Sequence, residues 1–396
     1  MTFEEMKQRL EGLVIFRELL EDPVVSAFCA MLEARCRNQT AFTGCCAEFE
    51  ARLFRYGEDW SAYLRNAVME SENVCIQGYA AGAVTPVLER CLAKELAFLD
   101  QLAQVRLPDL MAGLEHAPLF LEGWTVSDDS IAGDYRRRMQ EVGTKGYGVF
   151  ARYHMFTVEN GRLVPVKHPD PQRLEELPGY EQERQKIIAN TKALLEGRPA
   201  NNVLLYGDAG TGKSSTIKAI ANAFAGEGLR LVEMKKNQLY QLPDLMDTLA
   251  ANPLKFVLFI DDLSFTANDD QFAALKAILE GSVGGRAKNI AVYATSNRRH
   301  LIKETLTDRS GDDIHESDTR QELMSLSARF GLTITFASPD KDRYLYIVDE
   351  LARQYALPLE ERELHIRSEA FALRAGGRSA RVAKQFVELC KAGVPC

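Results

Sequence analysis

No run in the 396 residues approaches the roughly eighteen consecutive apolar positions that a membrane-crossing helix needs. The first residues, Met1 to Lys7, lack the charged segment and apolar stretch of a secretory leader. Both absences lead to the expectation of a cytoplasmic protein that does not engage a membrane. An excess of positive charge is missing as well. The net charge of −8 argues against a broad, non-specific nucleic-acid surface but leaves room for a local basic lining in an assembled ring, so direct nucleic-acid binding stays open. Metal-binding spacing is also absent. Six of the eight cysteines (Cys29, Cys36, Cys45, Cys46, Cys75 and Cys91) fall in the first quarter, with no CxxC pair and no matching pair of histidines. They read as buried free thiols in a reducing compartment rather than as zinc ligands. There is no internal repeat and no low-complexity tract.

What is present is enough apolar material, 46% of the chain, for sizeable cores in two or three domains. Residues 1–130 read as helices with apolar stripes (Met6, Leu10, Leu13, Leu20; then Leu88, Leu92, Leu96, Leu99) that face a core. Residues 131–168 read as a connector containing a β-hairpin, Met155 to Val158 and Arg162 to Val166 about an Asn160-Gly161 turn. His168-Pro-Asp-Pro171 breaks the chain, and residues 169–338 then alternate helix and strand, with apolar strands suited to a parallel sheet covered on both faces. Ser338-Pro339 reads as a helix cap and first helical position, opening a small helical bundle over residues 339–396.

The chemistry centres on Gly207-Asp-Ala-Gly-Thr-Gly-Lys-Ser214, set behind the apolar strand Val203 to Tyr206 and ahead of an apolar-periodic helix. The spacing lets backbone N–H groups approach phosphate oxygens at the positive end of a helix, with Lys213 reaching the β- and γ-phosphates and Ser214 offering a hydroxyl to Mg²⁺. About fifty residues later the strand Phe256 to Ile260 ends in Asp261-Asp262. The first carboxylate suits Mg²⁺ through water, and the second can orient or deprotonate an attacking water. The next strand, Ile290 to Ala294, leads into Thr295-Ser-Asn297, and a parallel sheet brings Asn297 beside the γ-phosphate. Arg329, Arg378 and Arg381 offer forked, permanently charged groups suited to phosphate.

In this order, the motifs resemble those of the AAA+ ATPases over residues 170–396. The resemblance implies an α/β P-loop NTPase with an AAA+ type parallel five-stranded sheet, a helical C-terminal lid and a mainly helical N-terminal domain that meets a partner. It implies that the phosphate loop (Gly207, Asp208, Ala209, Gly210, Thr211, Gly212, Lys213, Ser214 and the adjoining Ser215) binds ATP, that Ser214 and Asp261 hold Mg²⁺, and that Lys213, Asp262, Asn297 and Arg329 are catalytic. Gly179 and Tyr180, in Leu177-Pro-Gly-Tyr180, match the turn that packs on adenine. Arg329 matches an arginine finger supplied to a neighbouring subunit, so a homo-oligomer such as a hexameric ring, acting on an unidentified macromolecular target, is implied. Arg378 is the better positional match for the lid arginine and Arg381 the fallback. More narrowly, Arg198 to Gly207, Ala294 to His300 and Asp313 to Arg320 resemble a bacterial family of ATP-binding proteins, domain of unknown function 815.

Three departures bear on activity. The second strand-end carboxylate is Asp262 rather than Glu, one methylene shorter, which leaves the base open between Asp262 and Glu280, the latter either a substitute base or merely a surface charge at its helix end. Lys235 to Tyr240 lacks the aromatic-apolar-Gly signature of polypeptide-threading relatives, while Lys235, Lys236 and Arg286 could line a pore for an anionic polymer or form a solvated basic turn. The acidic loop Asp312 to Asp318, with one histidine, reads as an interface or solvated loop rather than a metal site. An oligomeric remodelling ATPase is the first functional reading. A slow nucleotide switch or loader-like factor is the second, and a binding module without hydrolysis fits poorly with so complete a set of groups.

Overall fold

The computed structural model describes residues 1–37, 39–113, 120–263, 275–276, 279, 287–297 and 328–395, with residues 37, 39 and 40 described by their backbone alone. These fall into two compact units, Met1–Arg152 and Tyr153–Cys396. The first is helical: α1 (Phe3–Glu11), α2 (Pro23–Arg37), α3 (Gln39–Leu53), α4 (Trp60–Glu70), α5 (Val74–Ala80), α6 (Pro86–Ala103), α7 (Leu107–Met111), α8 (Ile131–Gln140), α9 (Val142–Lys145) and α10 (Val149–Arg152). Several helix starts follow from capping side chains. Thr2 and Glu5 form a capping box on α1, Asp59 accepts the Ala62 N–H ahead of α4, and Thr85 caps α6 with Pro86 in its first turn.

Three residues of each expected apolar stripe are core, whereas Leu20 and Leu88 are half-buried. Met6, Leu10 and Leu13 are buried with Leu92, Leu96 and Leu99 in one cluster, where Phe28 stacks on Trp60 at 4.7 Å and Phe49 meets Trp124 edge-on at 4.7 Å. Glu95 is, with Glu50, one of two buried carboxylates among the described residues of this unit. Its carboxylate is buried but accepts the backbone N–H groups of Val14, Ile15 and Phe16 at 2.8–3.2 Å, so it fastens a turn rather than forming a reactive site. The early cysteines are free. Cys46 and Cys75 are buried and Cys36 is exposed; burial pushes the Cys29 thiol up to about 11 and the Cys46 thiol up to about 12, which keeps both protonated and unreactive.

The second unit is built on seven strands, β1 (Met155–Glu159), β2 (Arg162–Pro165), β3 (Val203–Gly207), β4 (Leu229–Met234), β5 (Lys255–Ile260), β6 (Ile290–Ser296) and β7 (Leu332–Phe336), in the order β2-β1-β4-β5-β6-β3-β7. Every neighbouring pair is parallel except β1–β2. The expected count of five strands is therefore corrected to seven. The hairpin predicted for the connector belongs to the sheet, because β1 pairs with β4, Met155 opposite Leu231 and Phe156 opposite Val232. Met155 is buried on one face of β1 and Phe156 and Val158 on the other, and pairing satisfies N–H and C=O groups that the edge of β4 would otherwise leave open. Asn160 and Gly161, at φ 50° and 76°, make the turn.

Packed with the sheet are α11 (Glu181–Leu195), α12 (Lys213–Phe224) and α13 (Leu242–Ala250). Ile217, Ile220, Ala221 and Phe224 form the buried face of α12. After β7 come α14 (Lys341–Gln354), α15 (Glu361–Arg374) and α16 (Ala380–Lys391). The cap of α14 is Asp340, which accepts the Arg343 N–H at 2.9 Å, so this helix begins two residues beyond the expected Ser338-Pro339 start. Ser338 is engaged elsewhere, as described below.

Candidate functional site

Parallel pairing places β6 between β5 and β3, so three neighbouring strands end side by side. At the end of β3, Gly207 has φ 139° and lies so close to β7 that a Cβ would sit 2.0 Å from the Phe336 carbonyl oxygen; no side chain fits there. The loop then turns into α12. Lys213 opens that helix nearly buried, its Nζ donating to the Gly207 and Asp208 carbonyls at 2.8 and 2.7 Å and to Asn297 Oδ1 at 3.1 Å. Three acceptors satisfy the three ammonium donors. Burial pushes the Lys213 pKa down, opposed by the charges of Asp208, Asp261 and Asp262.

At the next residue, Ser214 Oγ donates to Asp261 Oδ1 at 2.6 Å. A hydroxyl and a carboxylate side by side are the hard oxygen donors that Mg²⁺ prefers, so these two residues fit that ion. Asp262, at φ 51°, adopts a left-handed conformation that Asp tolerates, and its N–H donates to Thr295 Oγ1 at 2.9 Å. Asn297 Nδ2 donates to Asp262 Oδ1 at 2.8 Å. Thr295 itself donates to Asp261 Oδ1 at 2.5 Å and thereby ties the Asp261 carboxylate to the Asp262 backbone, a role the sequence reading did not assign. Its place two residues before Asn297 is the sequence signal for it, since alternate residues of an extended strand share a face.

Lys213, Ser214, Asp261, Asp262, Thr295 and Asn297 line one cavity of about 480 Å³ together with the loop from Ala209 to Ser215. Asp208 turns its carboxylate away from this cavity's lining to accept the Ser338 N–H at 2.7 Å, and hydrogen bonds from the Ser338 hydroxyl and backbone hold its pKa below the usual range. The Arg381 N–H, at the start of α16, donates to the Gly210 carbonyl at 2.9 Å.

Beside the cavity lies an apolar recess of about 50 Å³, bounded by Leu177, Pro178, Tyr180, Ile347 and Leu351. Tyr180 is almost wholly buried; its hydroxyl donates to the Ala337 carbonyl at 2.6 Å, its ring stacks on Phe336 at 5.2 Å, and burial pushes its pKa up to about 12. Gly179, at φ 76°, brings the turn against Ile347 on α14.

The arginines separate. Arg378 is drawn into a two-pronged ion pair with Glu369 on α15 at 2.8 and 2.6 Å and does not line the cavity. Arg381 does line it, with Lys384 beside it. Arg329 is half-buried ahead of β7 and is not part of this cavity's wall. Lys235 begins a 3-10 segment in which Leu239 is buried and Tyr240 exposed. Glu280, Arg286 and the Asp312 to Asp318 loop lie outside the described residues.

A family model described as a protein of unknown function (DUF815) matches residues 149–394. An AAA-ATPase of Arabidopsis thaliana is 27% identical over 150 residues, 35% of this chain and 27% of that protein, so the chain spans about a quarter of the length of this curated relative. Two variants of RuvB from Thermotoga maritima, each 18% identical, cover 57% of this chain and 67% or 68% of their own, with TM-scores of 0.38 and 0.37.

Proposed function

This chain belongs to the DUF815 family, whose description names no activity, and we propose that it is an AAA+ ATPase that hydrolyses ATP at a site completed by a second copy of the chain. The observation that carries this reading is the convergence of Lys213, Ser214, Asp261, Asp262 and Asn297, from three separate strand ends, on one cavity beside a glycine-built phosphate loop. Such a cavity accepts a nucleoside triphosphate with its phosphates on the loop and its base toward Leu177 and Tyr180. On binding, Lys213 exchanges the Gly207 and Asp208 carbonyls for the β- and γ-phosphate oxygens. Asp262 and Asn297 hold the attacking water in line, and Asp262 accepts its proton. Ser214 and Asp261 would hold Mg²⁺, which would supply positive charge to offset that developing on the phosphates.

Arg381, rather than Arg378, is the lid arginine in this reading, because it borders the cavity while Arg378 is held by Glu369. Arg329 is the group delivered in trans, which implies a homo-oligomer that remodels a macromolecular target. Among the described residues no helix is long and apolar enough to cross a membrane. A slow nucleotide switch is the second reading, favoured by one observation: Asp262 and Asn297 are hydrogen-bonded to each other at 2.8 Å, and a water must separate them before it is activated.

The test is ATP turnover against protein concentration for the wild type and Arg329→Ala. Specific activity that rises with concentration and collapses in the variant supports the ATPase reading. Tight ATP binding with negligible hydrolysis in both proteins would replace it with the switch.

A further inference from the structure

We propose that Lys384 recognises the base-proximal end of the nucleotide, at the α-phosphate, while Arg381 attends the γ end. The inference rests on the nucleotide reading of the site and divides the work of α16 between two cations.

The helix is fixed against the phosphate loop at its first turn, where Ser379 caps it and the Arg381 N–H bonds the Gly210 carbonyl. A Cβ on Gly210 would lie 3.1 Å from Arg381 Cβ, so loop and helix are in close contact. Three residues further along, Lys384 shares a face of α16 with Arg381. The two side chains do not border the same space. Arg381 lines only the larger cavity, the one that holds Asp261, Asp262 and Asn297, whereas Lys384 lines both that cavity and the apolar recess of Leu177, Pro178 and Tyr180. A nucleotide with its base in the recess and its γ-phosphate beside Asn297 must pass its ribose and α-phosphate through the junction that Lys384 borders.

The charges there are arranged to permit it. Glu176, the carboxylate at the recess, already accepts the Gln172 side chain and the Arg173 N–H, each at 3.0 Å. Among the described residues, Lys384 pairs with Glu388 on its own helix, at 3.9 Å with both side chains about half exposed, a pairing weak enough to be exchanged for phosphate. A flexible ammonium suits a single non-bridging oxygen and needs no fork geometry.

Equilibrium binding of ATP and of ADP to the full-length chain tests this with wild type, Lys384→Ala, Lys384→Arg and Arg381→Ala. Because the α-phosphate is common to both nucleotides, Lys384→Ala should weaken ATP and ADP by a similar factor, about tenfold as for a charge-assisted hydrogen bond, and Lys384→Arg should restore both. Arg381→Ala should weaken ATP more than ADP. An unchanged melting temperature of the nucleotide-free variants shows that the loss is not unfolding. Wild-type affinity of Lys384→Ala for both nucleotides, or a loss confined to ATP, would overturn the proposal while leaving the nucleotide site standing. Failure of the wild type to bind either nucleotide would overturn both.

Discussion

Gly207 tolerates no substitution, and the reason lies in a single atom, the Phe336 carbonyl oxygen that a Cβ would meet at 2.0 Å. Gly207→Ala is expected to cost roughly 2 kcal/mol or more of stability through strain at this φ, measurable by denaturant unfolding, and to displace the phosphate loop. The neighbouring Asp208 is a different case. Hydrogen bonds from Ser338 hold its carboxyl below the usual range. A carboxyl depressed in the folded state contributes stability above its unfolded pKa of about 3.9 and loses it as the pH falls through the folded value. Asp208→Asn should therefore melt below the wild type at neutral pH, with the gap in Tm closing as the pH falls below about 4. An undiminished gap at acid pH would show that the carboxylate charge is not the source. The chemistry of this loop was legible residue by residue, since spacing alone identifies Lys213 and Ser214. The destination of Asp208 was not, because Ser338 lies far along the chain and meets it only through the pairing of β3 with β7.

At the scale of elements, the hairpin of β1 and β2 shows where local pattern runs out. Asn160-Gly161 between apolar runs identified the turn, yet no local feature tells a hairpin whether it stands alone or joins a sheet. What decides is the unpaired edge of β4 and the burial of Met155, Phe156 and Val158 against the core. Phe156→Ala, at a fully buried position, is expected to destabilise this unit by about 3–5 kcal/mol, read from its unfolding transition by calorimetry. A change below 1 kcal/mol would mean that the hairpin packs independently of the sheet. The arginines of the α15 to α16 segment carry the same lesson. Arg378 and Arg381 are equally plausible phosphate ligands by residue type, but Glu369, one helix earlier, captures the first and leaves the second at the cavity.

For the whole molecule, the proposed arginine supplied by a neighbour would make activity a property of assembly. Such a group is worth about 10³ to 10⁵ in rate in phosphoryl-transfer systems, so Arg329→Ala should lose roughly that factor in ATP turnover while retaining ATP affinity. Activity independent of protein concentration and unchanged in the variant would remove the trans role. On the proposal above, the first unit is the part that meets a partner, and no reactive group was found in it among the described residues. Its conspicuous polar residue, Glu95, is satisfied by backbone donors, and burial keeps the Cys29 and Cys46 thiols protonated.

The sequence by itself determined the chemistry that each strand end brings: a glycine loop shaped for phosphate, a lysine, two adjacent carboxylates and an amide. These are local properties, dictated by residue type, spacing and the strand before them. Only the tertiary structure decided their company. The strand order sets which ends are neighbours, so Thr295 comes to bridge Asp261 and Asp262. The fastening of α16 to Gly210 likewise turns Arg381 and Lys384, and not Arg378, toward the cavity. Contacts between residues distant in the chain depend on register and packing, which the order of residue types does not spell out.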